Sequence, residues 1–221
     1  MELNENSQYF HMVCSSLGVI PIVFSFCTQK TILIFASTVS TFLAVSHVAV
    51  EMENNNRYIV NVTGAADAIC GVFVTLAIAY SLSLFNNCMG FFRVLWLTGI
   101  VTSSNGYKFF EKMLGEEYVP TNITIISLSV CIIVLFACTL YAKCNSRRSS
   151  GEQGIKHQIA EASLIFGALA LRFDHDITRV IKLNIGFDVW HVCSWVSMTI
   201  CCFINDNQHI ENTEEDDVNQ V

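Results

Sequence analysis

Charge is scarce in this chain. Asp, Glu, Lys and Arg make up 14% of its 221 residues, where a soluble domain carries roughly 25%. Proline occurs only twice, as Pro21 and Pro120, so most of the chain is free of the one residue that reliably breaks helices. There are ten cysteines but no CxxC pair, which excludes the usual cysteine-based zinc motifs. The N-terminal MELNENSQ holds no Lys or Arg and so lacks the basic start of a secretory signal peptide. The first apolar run is therefore expected to be a retained helix. With 12 basic residues against 19 acidic ones, nucleic acid is not an expected partner.

What fills the chain instead is apolar sequence, at 52% of residues. A membrane-crossing helix needs about 20 predominantly apolar residues. The runs predict spans at Tyr9–Phe26, Thr31–Val50, Tyr58–Leu84, Met89–Ser104, Pro120–Ala142, Gln158–Arg172 and Leu183–Ile204. The expected fold is an all-α membrane protein, a bundle of seven transmembrane helices over residues 1–204. Residues 205–221, with ENTEEDD, read as an acidic, solvated tail without fixed structure.

Cytoplasmic loops are enriched in Lys and Arg. The run KCNSRRSSGEQGIK holds Lys143, Arg147, Arg148 and Lys156 and is placed inside. Alternation through seven spans then puts the N-terminus outside and the C-terminal tail in the cytoplasm. Counting every Lys and Arg gives six on each side, so the local cluster alone decides. The outer loops then hold no cysteine, which excludes an extracellular disulfide framework. The sequons at Asn61-Val62-Thr63 and Asn122-Ile123-Thr124 fall at outer span ends close to the membrane. Cys144, Cys201 and Cys202 fall at cytoplasmic helix ends, where thiols are acylation candidates; Cys201 and Cys202 are the expected acylated pair. Gly64-Ala65-Ala66 and Gly71 are small residues of the kind that let helices approach closely, within one chain or in a homodimer.

Ionisable groups inside spans are costly, and each asks for a function. Three stand out: His47, Asp67 and His191. At 1.5 Å per residue, Asp67 and His191 lie roughly 12 Å below the outer boundary, with His47 somewhat shallower. Three helices thus bring polar groups to one outer-leaflet depth, and a shared cavity open to lipid is expected there. Two imidazoles and a carboxylate can bind zinc with a position left for water, and such water can attack an ester or amide. Asp67 can instead orient an imidazole, or the cluster can hold helices together. His11, His157 and His175 lie near span ends or in an outer loop and call for no special role.

These residues carry a resemblance. STFLAVSHVAV, ICGVFVTLAIAYSL, LIFGALALRF and GFDVWHVCSWVSM resemble, in order, segments of the transmembrane protein 8 family. That family belongs to the superfamily that also contains the alkaline ceramidases and the progestin/adiponectin receptors. FGALAL ahead of Arg-Phe and an acidic loop is the most specific match. The resemblance implies a multi-pass plasma-membrane protein that promotes cell–cell fusion, as between myoblasts, when outer leaflets mix. It implies membrane lipids, the opposing membrane and a small fusogenic membrane protein as partners. The outer loops at 54–57, 107–118 and 172–182 are the expected contact surfaces. The superfamily's zinc-dependent lipid amidases are the alternative. They carry a Ser four residues before the second-helix His, where Leu43 stands here, and a His-x3-His pair in the seventh helix, where Phe187 takes the first place. Both departures argue against turnover, and no catalytic residue is assigned. A seven-helix receptor is disfavoured because the third span ends in AYSLSLFNN, with no Arg motif.

Overall fold

The structure is a computed structural model. It describes residues 5–53, 57–86, 90–102, 152–174 and 185–204. The expected span Pro120–Ala142, the cluster from Lys143 to Arg148, Cys144, the second sequon, the outer-loop surfaces apart from Arg57 and residues 172–174, and the acidic tail lie outside the described residues.

The described residues are all helical, with no strand among them. The elements are α1 (Glu5–Ser16), α2 (Val19–Cys27), α3 (Thr31–Glu53) and α4 (Arg57–Ser81). A short turn of 3-10 helix at Leu84–Asn86 follows, then α5 (Gly90–Thr102), α6 (Glu152–Arg172) and α7 (Gly186–Cys202). Three stretches, Gln8–Cys27, Thr31–Glu53 and Val62–Ser81, are long and apolar enough to cross a membrane. α5 and α7 are too short to qualify, and Glu152, Lys156, Glu161 and Arg172 dilute the hydropathy of α6.

The first span differs from its expected form. It is broken between α1 and α2, and Pro21 supplies the reason. Its ring takes away the amide that would bond the Leu17 carbonyl and presses on that carbonyl. The Leu17 oxygen accepts from the Ile20 amide instead, at 3.0 Å, and the Gly18 amide donates to Ser15 at 3.3 Å. A tight turn results, and both halves still pack on α3 and α7.

On α3 most inward-facing residues are small and the aromatic ones face outward. On α3 the buried positions include Ala36, Ser37, Ser40, Thr41 and Ala44, while Phe35 and Phe42 are exposed at 59% and 70%. Tyr9, Phe10, Val13, Val23, Phe26, Ile69, Tyr80, Phe92 and Phe166 are exposed as well. Water tolerates only small apolar patches, whereas lipid solvates such a surface and leaves small residues to set helix contacts. The fold is compatible with a membrane protein.

Register follows from named contacts. α6 and α7 run antiparallel: Asp174 bonds Gly186 at one end, and the Ser197 hydroxyl donates to the Ala160 carbonyl at the other. Phe35 meets Phe73 and His47 meets Thr63, which makes α3 and α4 antiparallel. α7 runs parallel to the α1–α2 span. His11 pairs with Asp188 near one end, the Trp195 indole donates to the Cys14 carbonyl midway, and the Lys30 ammonium donates to the Ile204 carbonyl at the other end. Arg93 of α5 pairs with Glu161 of α6. The Lys156 ammonium, one helical turn from Glu152, holds that carboxyl below its ordinary range.

The FGALAL run acquires a physical role here. Gly167, Ala168 and Leu171 are buried against α7, and Phe166 points away. A Cβ on Gly167 would lie 2.8 Å from the Cys193 Cβ and 3.4 Å from the Trp190 carbonyl oxygen. Gly167→Val is expected to destabilise the folded protein by about 2 kcal/mol through overpacking, read as a lower unfolding midpoint in micelles. Phe166→Leu, on the exposed side, should stay within about 0.5 kcal/mol. Equal midpoints for the two variants would refute the close α6–α7 contact.

Candidate functional site

The site is built where α3, α4 and α7 meet. Asp67 sits in α4 and His191 in α7, both 4% exposed. Gly71, one turn after Asp67, faces the Trp190 ring, which a Cβ there would meet at ordinary contact distance. His191 Nε2 lies 3.6 Å from Asp67 Oδ2. That is an ionic approach, but it is too long for a direct hydrogen bond. The imidazole stacks on Trp195, with ring centroids 5.7 Å apart and planes 11° from parallel.

Between these groups lies a cavity of about 10 Å³ lined by Ser40, Asp67, Gly71, Val74, Trp190, His191, Ser194 and Trp195. A cavity of that order holds about one water, provided two to four polar partners surround it. Four are present. Ser40 donates to the Ala36 carbonyl and Ser194 to the Trp190 carbonyl, and a hydroxyl oxygen that donates still has lone pairs to accept with. Asp67 Oδ2 and His191 Nδ1 make no hydrogen bond within the protein. The arrangement can hold a bridging water and share a proton between carboxylate and imidazole. It cannot admit an acyl chain.

The three residues expected to converge are only partly gathered. Asp67 and His191 share the cavity. His47 does not line it: its Nδ1 lies 3.2 Å from the Thr63 hydroxyl, in space left by Gly64, where a Cβ would come within 3.0 Å of the imidazole. Phe187 packs edge-on against both rings, with its centroid 6.3 Å from that of His47 and 4.4 Å from that of His191. Among the described residues, no three His, Cys, Asp or Glu side chains are placed to hold a metal ion. The donor set that the resemblance implies for zinc therefore does not fit a metal here. Of His47, Asp67 and His191, only the last two adjoin this water-sized space.

Other sequence expectations resolve in the same way. Cys201 and Cys202 are buried, at 0% and 3% exposure, and the Cys202 thiol donates to the Met198 carbonyl. Acylation of either would require the end of α7 to open, because an inward-facing thiol offers an acyltransferase no access. Gly64 faces His47 and Gly71 faces Trp190 within the chain. The first sequon lies within α4, and its Thr63 hydroxyl donates to the backbone at Ile59 or Val60.

Sequence reasoning missed a second polar contact. His11 Nδ1 lies 2.7 Å from both carboxylate oxygens of Asp188 and hydrogen-bonds one of them; both side chains are buried. Glu51 and Asp174 add negative potential at His11. Asp174 also accepts the Gly186 amide at 2.7 Å, a carboxylate at a helix N-terminus where the dipole favours it. The signal was Asp188 itself, a carboxylate in an apolar helix that must find a donor. No family model matches the chain, and no curated protein or solved structure matches it.

Proposed function

We propose that this chain is a multi-pass plasma-membrane protein of the transmembrane protein 8 type that promotes cell–cell fusion, similar to the muscle fusion protein myomaker. The observation that carries the proposal is the run FGALALRFD, the stretch most similar to that protein. Its Gly167 sits at the closest α6–α7 contact and its Asp174 caps α7. The residues that make the resemblance are thus those that hold the last helix in place. The alternative, a zinc-dependent lipid amidase, loses support from the site. Leu43 and Phe187 stand where a Ser and a His are needed, and the cavity beside His191 has the volume of one water.

In this proposal the protein has seven spans with its N-terminus outside. The parallel run of the first span and α7 supports an odd number of crossings. The protein acts on lipids of the outer leaflet and on the opposing membrane, with a small fusogenic membrane protein completing the pore. The test is expression on non-fusing fibroblasts mixed with fusion-competent cells, with a membrane dye in one population and a cytosolic dye in the other. Dye transfer between membranes is expected to rise several-fold over vector controls and to resist metal chelators. Surface-expressed protein that leaves lipid mixing at the control level overturns the proposal. Chelator-sensitive hydrolysis of a ceramide or ester, lost in His191→Ala, establishes the alternative.

A further inference from the structure

We infer that the acidic segment after α7 folds back over the end of the bundle where α7 finishes and docks on Lys30 and Lys156, covering these cations against the headgroups of the adjoining leaflet. The inference does not depend on the role in fusion.

The basic side chains are gathered by the helix register. Ser197 of α7 bonds Ala160 of α6, so the two helices share a level there. Lys156 lies one turn beyond Ala160, about 6 Å along the axis, and Ile204 lies about 10 Å beyond Ser197. The two therefore stand at nearly the same height. Lys30, in the turn between α2 and α3, reaches the Ile204 carbonyl with its ammonium. The same ammonium acts electrostatically on His157 of α6 and on Cys201 and Cys202 of α7. Arg93 joins from α5 through Glu161. Among the described residues at this end, the bases are Lys30, Arg93 and Lys156 and the acids are Glu152 and Glu161.

The segment that follows complements them. Residues 205–221 hold six acids, Asp206, Glu211, Glu214, Glu215, Asp216 and Asp217, and no Lys or Arg. They begin directly after Ile204, whose carbonyl Lys30 already bonds. Asp206 is two residues on, within about 7 Å of Ile204 even in extended chain. An ammonium carries three donors, so that carboxylate can join the carbonyl at the same nitrogen. Glu211 has a reach of up to about 25 Å, enough to cross the roughly 8–10 Å that separates packed helices and meet Lys156. The Lys156–Glu152 pair competes little, because the Glu152 side chain is 82% exposed and exposed helix-surface pairs are weak. The tether makes docking an intramolecular event. An anionic leaflet attracts Lys and Arg and repels this segment, so the basic end of the bundle is where the segment can settle beside the membrane.

The experiment uses the full chain in neutral detergent micelles and a Glu-specific protease, with peptide release after Glu211, Glu214 and Glu215 followed by mass spectrometry. A synthetic peptide of residues 205–221 is the reference at every salt concentration. At about 0.01 M salt, cleavage in the protein is expected to be about fivefold slower than in the peptide, the effect of a few exposed ion pairs. At about 1 M salt, where the Debye length is about 3 Å, the two rates should converge. Lys30→Gln/Lys156→Gln should bring them together at low salt. Asp206→Asn/Asp216→Asn/Asp217→Asn, measured against its own peptide, should narrow the gap at low salt without touching the bundle, so the inference stays testable if the lysine variant does not fold. Equal rates for wild-type protein and peptide at low salt overturn the inference. Slow cleavage that persists at high salt or in both folded variants overturns it equally, as does slow cleavage that appears only when phosphatidylserine is added to the micelles.

Discussion

Asp188→Ala is expected to destabilise the bundle by about 3 kcal/mol, because it breaks a buried pair and leaves one half of it in place. His11 and Asp188 are both buried, with Nδ1 2.7 Å from each carboxylate oxygen. Two magnitudes compete. Polar contacts between membrane helices average roughly 0.6 kcal/mol, because the unfolded chain in the bilayer also finds partners. Removing one half of a buried ion pair costs about 3–5 kcal/mol, because the remaining group has no partner and no water. The second should win, because both side chains are buried and the group left behind cannot turn to water. The pair itself need not stabilise the fold. His11→Leu/Asp188→Leu should therefore recover most of the loss. Unfolding midpoints in micelles for the two single variants and the double variant decide the matter. A coupling under about 0.5 kcal/mol would mean that the two groups act independently.

Gly186→Ala is expected to cost a similar amount, about 3 kcal/mol, for a steric reason. An added Cβ would lie 2.5 Å from Asp174 Cβ and Oδ1 and 2.6 Å from the Ala170 carbonyl oxygen. The carbonyl belongs to a helix backbone and cannot swing away as a side-chain tip can. Overpacking costs about 1–3 kcal/mol, and displacing Asp174 adds the loss of a helix cap, roughly 0.5–2 kcal/mol. Asp174→Ala isolates the second part and should give the smaller effect. Protection of α7 amides from hydrogen exchange is the direct readout: Gly186→Ala should lower it along the first turns. Unchanged protection in both variants would show that neither the cap nor the close approach holds α7.

Position along the helix axes was legible in the sequence, and position around each helix was not. Asp67 and His191 were placed at one depth by counting residues, because helical rise is fixed, and they do meet. His47 was placed near that depth too, but depth does not say which way a side chain points. Amphipathic patterning normally supplies that information. Here both the lipid face and the core face of a helix are apolar, so the pattern is weak. What marks the inner face is size, as in the Ala36, Ser37, Ser40, Thr41, Ala44 stripe of α3. Reading it that way would have paired Gly64 with His47 and Gly71 with Trp190, the role both glycines have. The thiols of Cys201 and Cys202 carried the same ambiguity: a helix end near the cytoplasm suggested access, but both face the core. The α1–α2 break was signalled by Pro21 alone. Asp188 signalled that a donor was needed, but nothing local named His11, because the partners are 177 residues apart.

That separation has a consequence for biogenesis. Ribosomes deliver about 5–20 residues per second, so His11 waits about 10–35 s before Asp188 is synthesised. The first helix packs early on α3 but completes its contacts last, because Cys14 and Lys30 also take partners from α7 and the residues just after it. During that interval the His11–Asp188 and Lys30–Ile204 contacts are unmade. A stop codon anywhere before α7 leaves those two contacts unmade for good.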